Sequence, residues 1–372
     1  MKLPSNLTRL AATLAALGLL LAAGGTSLHA QNAERARPAL QEILKRYPDA
    51  DRNGDGRLDQ EERNALRQRL RGTGAAQQRE VVSAKGVPAT HVDVKYGPHE
   101  RNVLDIWLAK SDRPTPVAIF IHGGGFVGGD KSKMYGSPDI DAFLEAGVSF
   151  ATINYRFRNT DPRGVRASLQ DAKRALQFIR SKAAEWNLDK ARIGAYGGSA
   201  GAGTSLWLGV RDDMADPGSD DPVLRESTRL SVVGATGTQA TYDVLQWQEL
   251  LKLELDEAMT QEMLGFFGLK SEAELQSEEG KAIRAELDML AQMSADDPPI
   301  YVRNNQEGGT PPKDRGHLYH HPLHAAAVKK RADEVGIEAQ VYAPAIGIQP
   351  PKEKQESLVE FFLRHLGVKA EQ

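Results

Sequence analysis

Two glycine-rich corners, each at the end of a short apolar run, constrain this chain more than any other feature of its 372 residues. The first is His122-Gly123-Gly124-Gly125-Phe126, after the β-rich run Val117 to Ile121. The second, about 75 residues on, is Gly197-Gly198-Ser199-Ala200-Gly201, after the run Arg192 to Tyr196 and before a helical stretch. Glycine adopts backbone angles closed to other residues and lets two main chains approach closely. At the second corner, glycines two residues either side of Ser199 relieve crowding where a strand turns sharply into a helix. The hydroxyl is then held out at the C-terminal edge of a sheet. At the first, three consecutive glycines let the backbone bend so that its N–H groups face a developing oxyanion, and the N–H of Ala200 completes the arrangement. A phosphate loop of the Walker type would need a Gly-Lys-Ser/Thr ending, which is missing here.

The chain from about Glu80 onward alternates strand-like and helix-like segments. His91 to Tyr96 and Val103 to Leu108 have alternating strand pattern, whereas Val117 to Ile121 and Val148 to Tyr155 suit strands buried on both faces. Further strands are expected at Arg192 to Tyr196, Leu230 to Val233, Ile300 to Arg303 and Gln340 to Ala343. Helices are expected at Val165 to Trp186, where Leu169, Ala172, Leu176 and Ile179 share a stripe, at His324 to Val335, and at Lys352 to His365. Such alternation predicts an α/β fold with a mostly parallel sheet and helices on both faces. Residues 243–295 interrupt it with acidic helical sequence holding Trp247, Met263, Phe266, Phe267 and Met289, either a cap over the site or ordinary core.

From about Val94 to Val210 the chain resembles the bacterial hormone-sensitive-lipase and acetylesterase-like group of α/β-hydrolases. Beyond the two corners, the likeness is carried by Tyr96-Gly97 through Leu104-Asp105-Ile106-Trp107, by Asn154-Tyr155-Arg156, and by Asp171 to Leu176 with Asn187-Leu188-Asp189. It covers roughly 280 residues, more strongly before Val210 than after. The resemblance implies an α/β-hydrolase fold and a carboxylesterase acting on short-chain or acetyl esters through an acyl-enzyme. Ser199 would be the nucleophile, Gly124, Gly125 and Ala200 the oxyanion donors, and a small ester the substrate.

A serine hydroxyl needs a general base, usually a histidine oriented by an acid. The resemblance places the acid just beyond Ile300–Arg303, where Glu307 stands, and the histidine in the loop after Gln340–Ala343. That loop, residues 344–350, contains no histidine. Of nine histidines in the chain, the ones left unassigned are His317, His320, His321 and His324, spaced i, i+3, i+4, i+7. One of them, best His317 or His321, reaches Ser199 from a rebuilt loop; or the cluster binds a transition metal from one helix face, a geometry that Pro322 weakens; or it is a helix start without a chemical task. The alternatives to an esterase are therefore a pseudoenzyme that keeps the fold for binding and a histidine-ligated metallohydrolase.

Nearer the N-terminus, residues 51–62 match an EF-hand loop. Asp51, Asn53 and Asp55 offer side-chain oxygens at loop positions 1, 3 and 5, and Gly56 permits the turn at 6. Arg57 offers its carbonyl, Asp59 ligates directly or through water, and Glu62 is the bidentate ligand. Such oxygen donors suit Ca2+, with helical sequence on both sides making residues 31–71 an EF-hand module. Residues 72–79 then form a linker to the hydrolase domain at 80–372. Residues 1–30 resemble a signal peptide: Lys2 and Arg9 precede an apolar run from Leu10 to Gly25, and small residues end at Ala30. That run of about 16 residues is short for a bilayer span of roughly 20, so export to the periplasm or medium of a bacterium, with no stable membrane span after cleavage, is expected. The formal net charge of -3 and the lack of a basic block argue against nucleic acid as a partner. With no cysteine, thiol catalysis and disulfides are excluded.

Overall fold

Every β-rich run of the second unit of the chain joins a single sheet in the computed structural model, which describes residues 80–368 and, before them, Leu44, Lys45, residues 47–51, Gly56 and Glu62. The chain separates at Arg79/Glu80 into two compact units. The eight strands are β1 (His91–Lys95), β2 (Val103–Trp107), β3 (Thr115–Ile121), β4 (Ser149–Ile153), β5 (Leu188–Gly198), β6 (Val232–Thr236), β7 (Ile300–Arg303) and β8 (Ala339–Tyr342). Their order across the sheet is β1-β2-β4-β3-β5-β6-β7-β8. Neighbours from β4 through β8 run parallel, while β2 is antiparallel to both β1 and β4. This is the expected α/β-hydrolase architecture.

Parallel strands covered on both faces must be mainly apolar on both, which explains the largely apolar, buried runs in β3 and β4. Along β3 the side chains divide between two cores. Val117, Ile119 and Ile121 join Leu169, Ala172, Leu176 and Ile179 on one face, whereas Ala118 joins Phe143, Phe150, Tyr196 and Phe362 on the other. The helices used below are α1 (Pro138–Glu145), α2 (Val165–Ser181), α3 (Ala200–Gly209), α4 (Glu257–Phe267), α5 (Arg315–Tyr319), α6 (Pro322–Val335) and α7 (Leu358–His365). The helix expected from Lys352 instead begins at Leu358, because a Ser357/Glu360 capping box restarts the chain there after a separate 3-10 turn at Lys352–Lys354.

Residues 243–295 are largely helical and serve both expected purposes. Leu264, Phe267, Leu287 and Met289 are buried in the same core as α2. Gly164, just before α2, lies against the main chain of α4: a Cβ there would fall 2.3 Å from the Phe266 carbonyl oxygen. Met259, Met263 and Phe266 line a cavity described below. Among the described residues no helix is long and apolar enough to cross a membrane. The signal-peptide and linker segments, most of the helical residues expected around the calcium loop, and Asn53, Asp55, Arg57 and Asp59 lie outside the described residues.

Candidate active site

Ser199 occupies the sharp turn between β5 and α3, with φ 55° and ψ -121°. A non-glycine residue in that region costs roughly 1–3 kcal/mol and persists only where its surroundings over-determine it. Here they do. The Ser199 N–H donates to the Thr236 carbonyl at 2.9 Å, and the Ser199 carbonyl accepts from Gly203 at 3.0 Å. Tyr242 donates its hydroxyl to the Ala200 carbonyl at 2.9 Å. Gly197 and Gly201 sit against the Ile121 carbonyl so closely that a Cβ at either would fall 2.3 or 1.9 Å from its oxygen.

The first corner lies directly beside the second. A Cβ on Gly123 would meet the Gly198 carbonyl oxygen at 2.4 Å and Ser199 Cβ at 3.2 Å. Gly124 and Gly125 hold positive φ angles of 124° and 61°. Among the described residues no acceptor pairs with the backbone N–H of Gly124, Gly125 or Ala200, leaving all three able to donate to a substrate oxygen. The loop is fastened from behind. Tyr155 donates to the His122 carbonyl at 2.8 Å and stacks on the His122 ring at 4.3 Å. The His122 Nδ1–H donates to the Gly123 carbonyl at 2.8 Å, while its Nε2 faces Arg101 Nη2 at 3.4 Å. Burial, with the Arg101 cation adding to it, lowers the pKa of His122 to about 4 and keeps the ring neutral.

The imidazole facing Ser199 belongs to His320, with Nε2 2.7 Å from Oγ. This corrects the sequence expectation of His317 or His321. His320 is the C-cap of α5, and its Nδ1 lies 2.9 Å from the Gly316 carbonyl one turn back. A carbonyl can only accept, so Nδ1 carries the proton and Nε2 presents its lone pair to the hydroxyl. His317 and His321 brace the preceding loop. His317 Nε2 donates to the Glu307 carbonyl and His321 Nε2 to the Gly309 carbonyl, both at 2.8 Å, while each Nδ1 accepts a backbone N–H at 3.1 Å. His324 is fully buried, bonded to the Leu318 carbonyl and the Ala240 N–H, and burial lowers its pKa to about 4.

Those occupied ring nitrogens also leave no convergent lone pairs for a metal. The described residues hold no group of three or more side chains able to bind one. The acid expectation is corrected too: the Glu307 carboxylate is exposed and pairs with Lys313 at 2.6 Å, away from His320. At the tip of β7, Asn304 instead donates to the His320 carbonyl at 2.9 Å, and Gln239 donates to the Tyr319 carbonyl at 2.6 Å. The loop after β8, where the resemblance places a histidine, is a tight turn closed by paired hydrogen bonds between Ala343 and Ile348. His320 had a readable signal: Asp314 marks a helix start and Pro322 the start of another, so the four histidines cannot share one helix. That break makes His321 an N-cap and leaves His320 at the C-terminus of α5.

A cavity of about 240 Å³ opens onto Ser199, walled by Phe126, Tyr242, Trp247, Met263 and Phe266. Its two charged lining residues are Arg158 and Glu262.

Residues 104–306, more than half of the chain, match the BD-FAE family. The chain belongs to that family. Among curated relatives of this BD-FAE member, esterase LipQ of Mycobacterium tuberculosis is 32% identical over 41% of the chain and 35% of the relative. Chlorogenic acid esterase of Aspergillus niger is 27% identical over 42% of the chain and 36% of the relative. The chain thus spans about a third of the length of those relatives. A truncated carbohydrate esterase from gut microbiota shares the fold, with a TM-score of 0.55 and 19% identity over 74% of this chain and 96% of that one. The BD-FAE member has the α/β-hydrolase fold.

In the N-terminal unit, three residues of the calcium-loop pattern are described. Gly56 has φ 75°, and its N–H donates to the Asp51 carboxylate at 2.8 Å, drawing the first and sixth loop positions together. Glu62 is buried.

Proposed function

We propose that this BD-FAE member is an exported serine carboxylesterase that hydrolyses short-chain or acetyl esters through an acyl-enzyme on Ser199. The observation that carries the reading is the 2.7 Å contact between Ser199 Oγ and His320 Nε2 beside three unpaired backbone donors. Ser199 Oγ attacks the ester carbonyl while His320 Nε2 takes its proton. Charge on the carbonyl oxygen is met by the N–H groups of Gly124, Gly125 and Ala200. The tetrahedral species collapses, His320 gives its proton to the leaving alcohol, and water then attacks the acyl-serine with His320 again as base. The Gly316 carbonyl fixes the imidazole tautomer as an acid would, but offers the imidazolium a dipole rather than a full charge. The cavity volume of about 240 Å³ suits a short acyl or alcohol group. A binding-only protein was motivated by the missing histidine after β8, and the His320 contact favours turnover instead.

Exposure of the folded protein to a fluorophosphonate tests this. An adduct on Ser199 is expected, and His320→Gln should slow both labelling and p-nitrophenyl acetate hydrolysis about 10²–10⁴-fold. Absence of any adduct on Ser199 would sink the esterase.

The same reading gives the N-terminal module a calcium ion held by Asp51, Asn53, Asp55, the Arg57 carbonyl, Asp59 and Glu62. Its support is the loop spacing together with the Gly56–Asp51 hydrogen bond. Calcium would order the loop and take no part in ester cleavage. A calcium-dependent rise in the module's melting temperature, lost in Glu62→Gln, is expected; no shift at millimolar calcium counts against the site. Export rests on the pattern of residues 1–30.

A further inference from the structure

Among the described residues no carboxylate stands behind the His320 imidazole, which depends for its aim on the segment that carries it. That segment is α5, a helix of five residues, far too short to be stable by itself. Two main-chain ties hold one side of it, from Gln239 to the Tyr319 carbonyl and from Asn304 to the His320 carbonyl. The other side is held by one carboxylate, that of Glu262 on α4.

Tyr319 donates its hydroxyl to Glu262 Oε1 at 2.8 Å, and Arg315 Nη1 pairs with Glu262 Oε2 at 2.8 Å. Arg315 and Tyr319 are the first and last residues of α5, so a single carboxylate spans the whole helix. Burial and the Glu262 carboxylate both raise the pKa of the Tyr319 phenol, which stays protonated and able to donate. Arg158 approaches Glu262 Oε1 at 3.8 Å, and the Arg158 backbone N–H donates to the Phe126 carbonyl at 2.8 Å. The cluster therefore also touches the oxyanion corner. Partly exposed ion pairs add little to stability as a rule, so a purely stabilising role would leave this arrangement nearly without effect.

We propose that Glu262 is a positioning residue: it locks α5 so that His320 Nε2 faces Ser199 Oγ, and, as part of the cavity wall, it couples that aim to the occupant of the cavity. The inference rests on His320 being the base of the proposed esterase.

The full-length protein and its Glu262→Ala, Glu262→Gln and Tyr319→Phe variants are compared on p-nitrophenyl acetate, an ester small enough to touch little of the cavity wall. Glu262→Ala should lower kcat about 10- to 100-fold, the effect of a misplaced catalytic group, with KM within about threefold of the parent. Glu262→Gln, still able to accept from Tyr319, should recover part of the loss, and Tyr319→Phe should fall between the two. A kcat for Glu262→Ala within about twofold of the parent overturns the proposal. So does an effect confined to KM, which makes Glu262 a substrate contact. Should Glu262→Ala fail to fold, the Gln and Phe variants carry the same comparison of kcat with KM. A parent protein that cleaves no ester defeats the esterase reading, and positioning is then read from the imidazole 15N resonances of His320, assigned with His320→Gln. Signals displaced in Glu262→Gln and Tyr319→Phe support the lock, and signals left in place refute it.

Discussion

Ser199 and His320 meet at 2.7 Å, yet the corners that carry them are held by different means. On the serine side the main chain does the holding. β3, β5 and the start of α3 approach so closely that a Cβ on Gly201 would lie 1.9 Å from one carbonyl oxygen and 2.8 Å from the next, those of Ile121 and His122. On the histidine side, side chains do it. Asn304 at the tip of β7, Gln239 after β6 and Glu262 on α4 each reach across to α5. There a Cβ on Gly316 would meet only Asp314 Oδ1, at 3.2 Å. Main-chain crowding leaves one solution and no room for an extra atom. Side-chain ties leave room, and can be supplied from many places in a sequence.

The same substitution at both corners tests that difference, and it carries the largest effect expected. Gly201→Ala drives a methyl group into backbone that cannot yield, so a loss of more than about 3 kcal/mol, or failure to fold, is expected. Gly316→Ala meets only the Asp314 oxygen that caps α5 through the His317 N–H, which need give by only a few tenths of an ångström, and alanine gains up to about 1 kcal/mol in a helix, so stability should stay within about 1 kcal/mol of the parent. Urea denaturation of the two variants measures both. Equal losses at the two positions would remove the distinction between the corners.

The distinction also explains what was legible in the sequence. All eight strands could be placed, the inner ones from the apolar runs that a sheet covered on both faces demands, β1 and β2 from alternation. Ser199, Gly124, Gly125 and Ala200 could be placed because the glycines around them record main-chain contacts directly. The base could not be located by family position, because the loop after β8 has closed into a short turn and the imidazole comes from between β7 and β8. Spacing alone then favoured His317 and His321, whose rings the loop uses for its own hydrogen bonds. Asn304, Gln239 and Glu262 carry no local signature at all: each is an ordinary polar residue until the fold brings it to α5. The Asp314 and Pro322 helix signals were the available clue, since together they end one helix at Tyr319 and begin the next at Pro322.

A smaller effect separates the corners by pH. Each contains a buried imidazole whose pKa burial lowers to about 4, His122 behind the oxyanion loop and His324 beneath α5, and burial lowers that of His321 as well. An unfolded histidine titrates near 6.5, so between pH 6.5 and about 4 the unfolded chain binds protons that the folded chain refuses. Stability from these rings is therefore complete above pH 6.5 and is lost as pH falls toward 4. The shares of His122 and His324 are each of the order of 3 kcal/mol, because every tenfold loss of proton affinity on folding is worth about 1.4 kcal/mol. Urea midpoints measured from pH 8 to pH 4 should fall along that window. His324→Gln can keep the bonds to Leu318 and Ala240 without titrating, so it should remove its own share of the slope and leave those of His122 and His321. An unchanged slope would remove His324 from the titration; a flat parent profile would mean that none of these rings is kept from its proton by the fold.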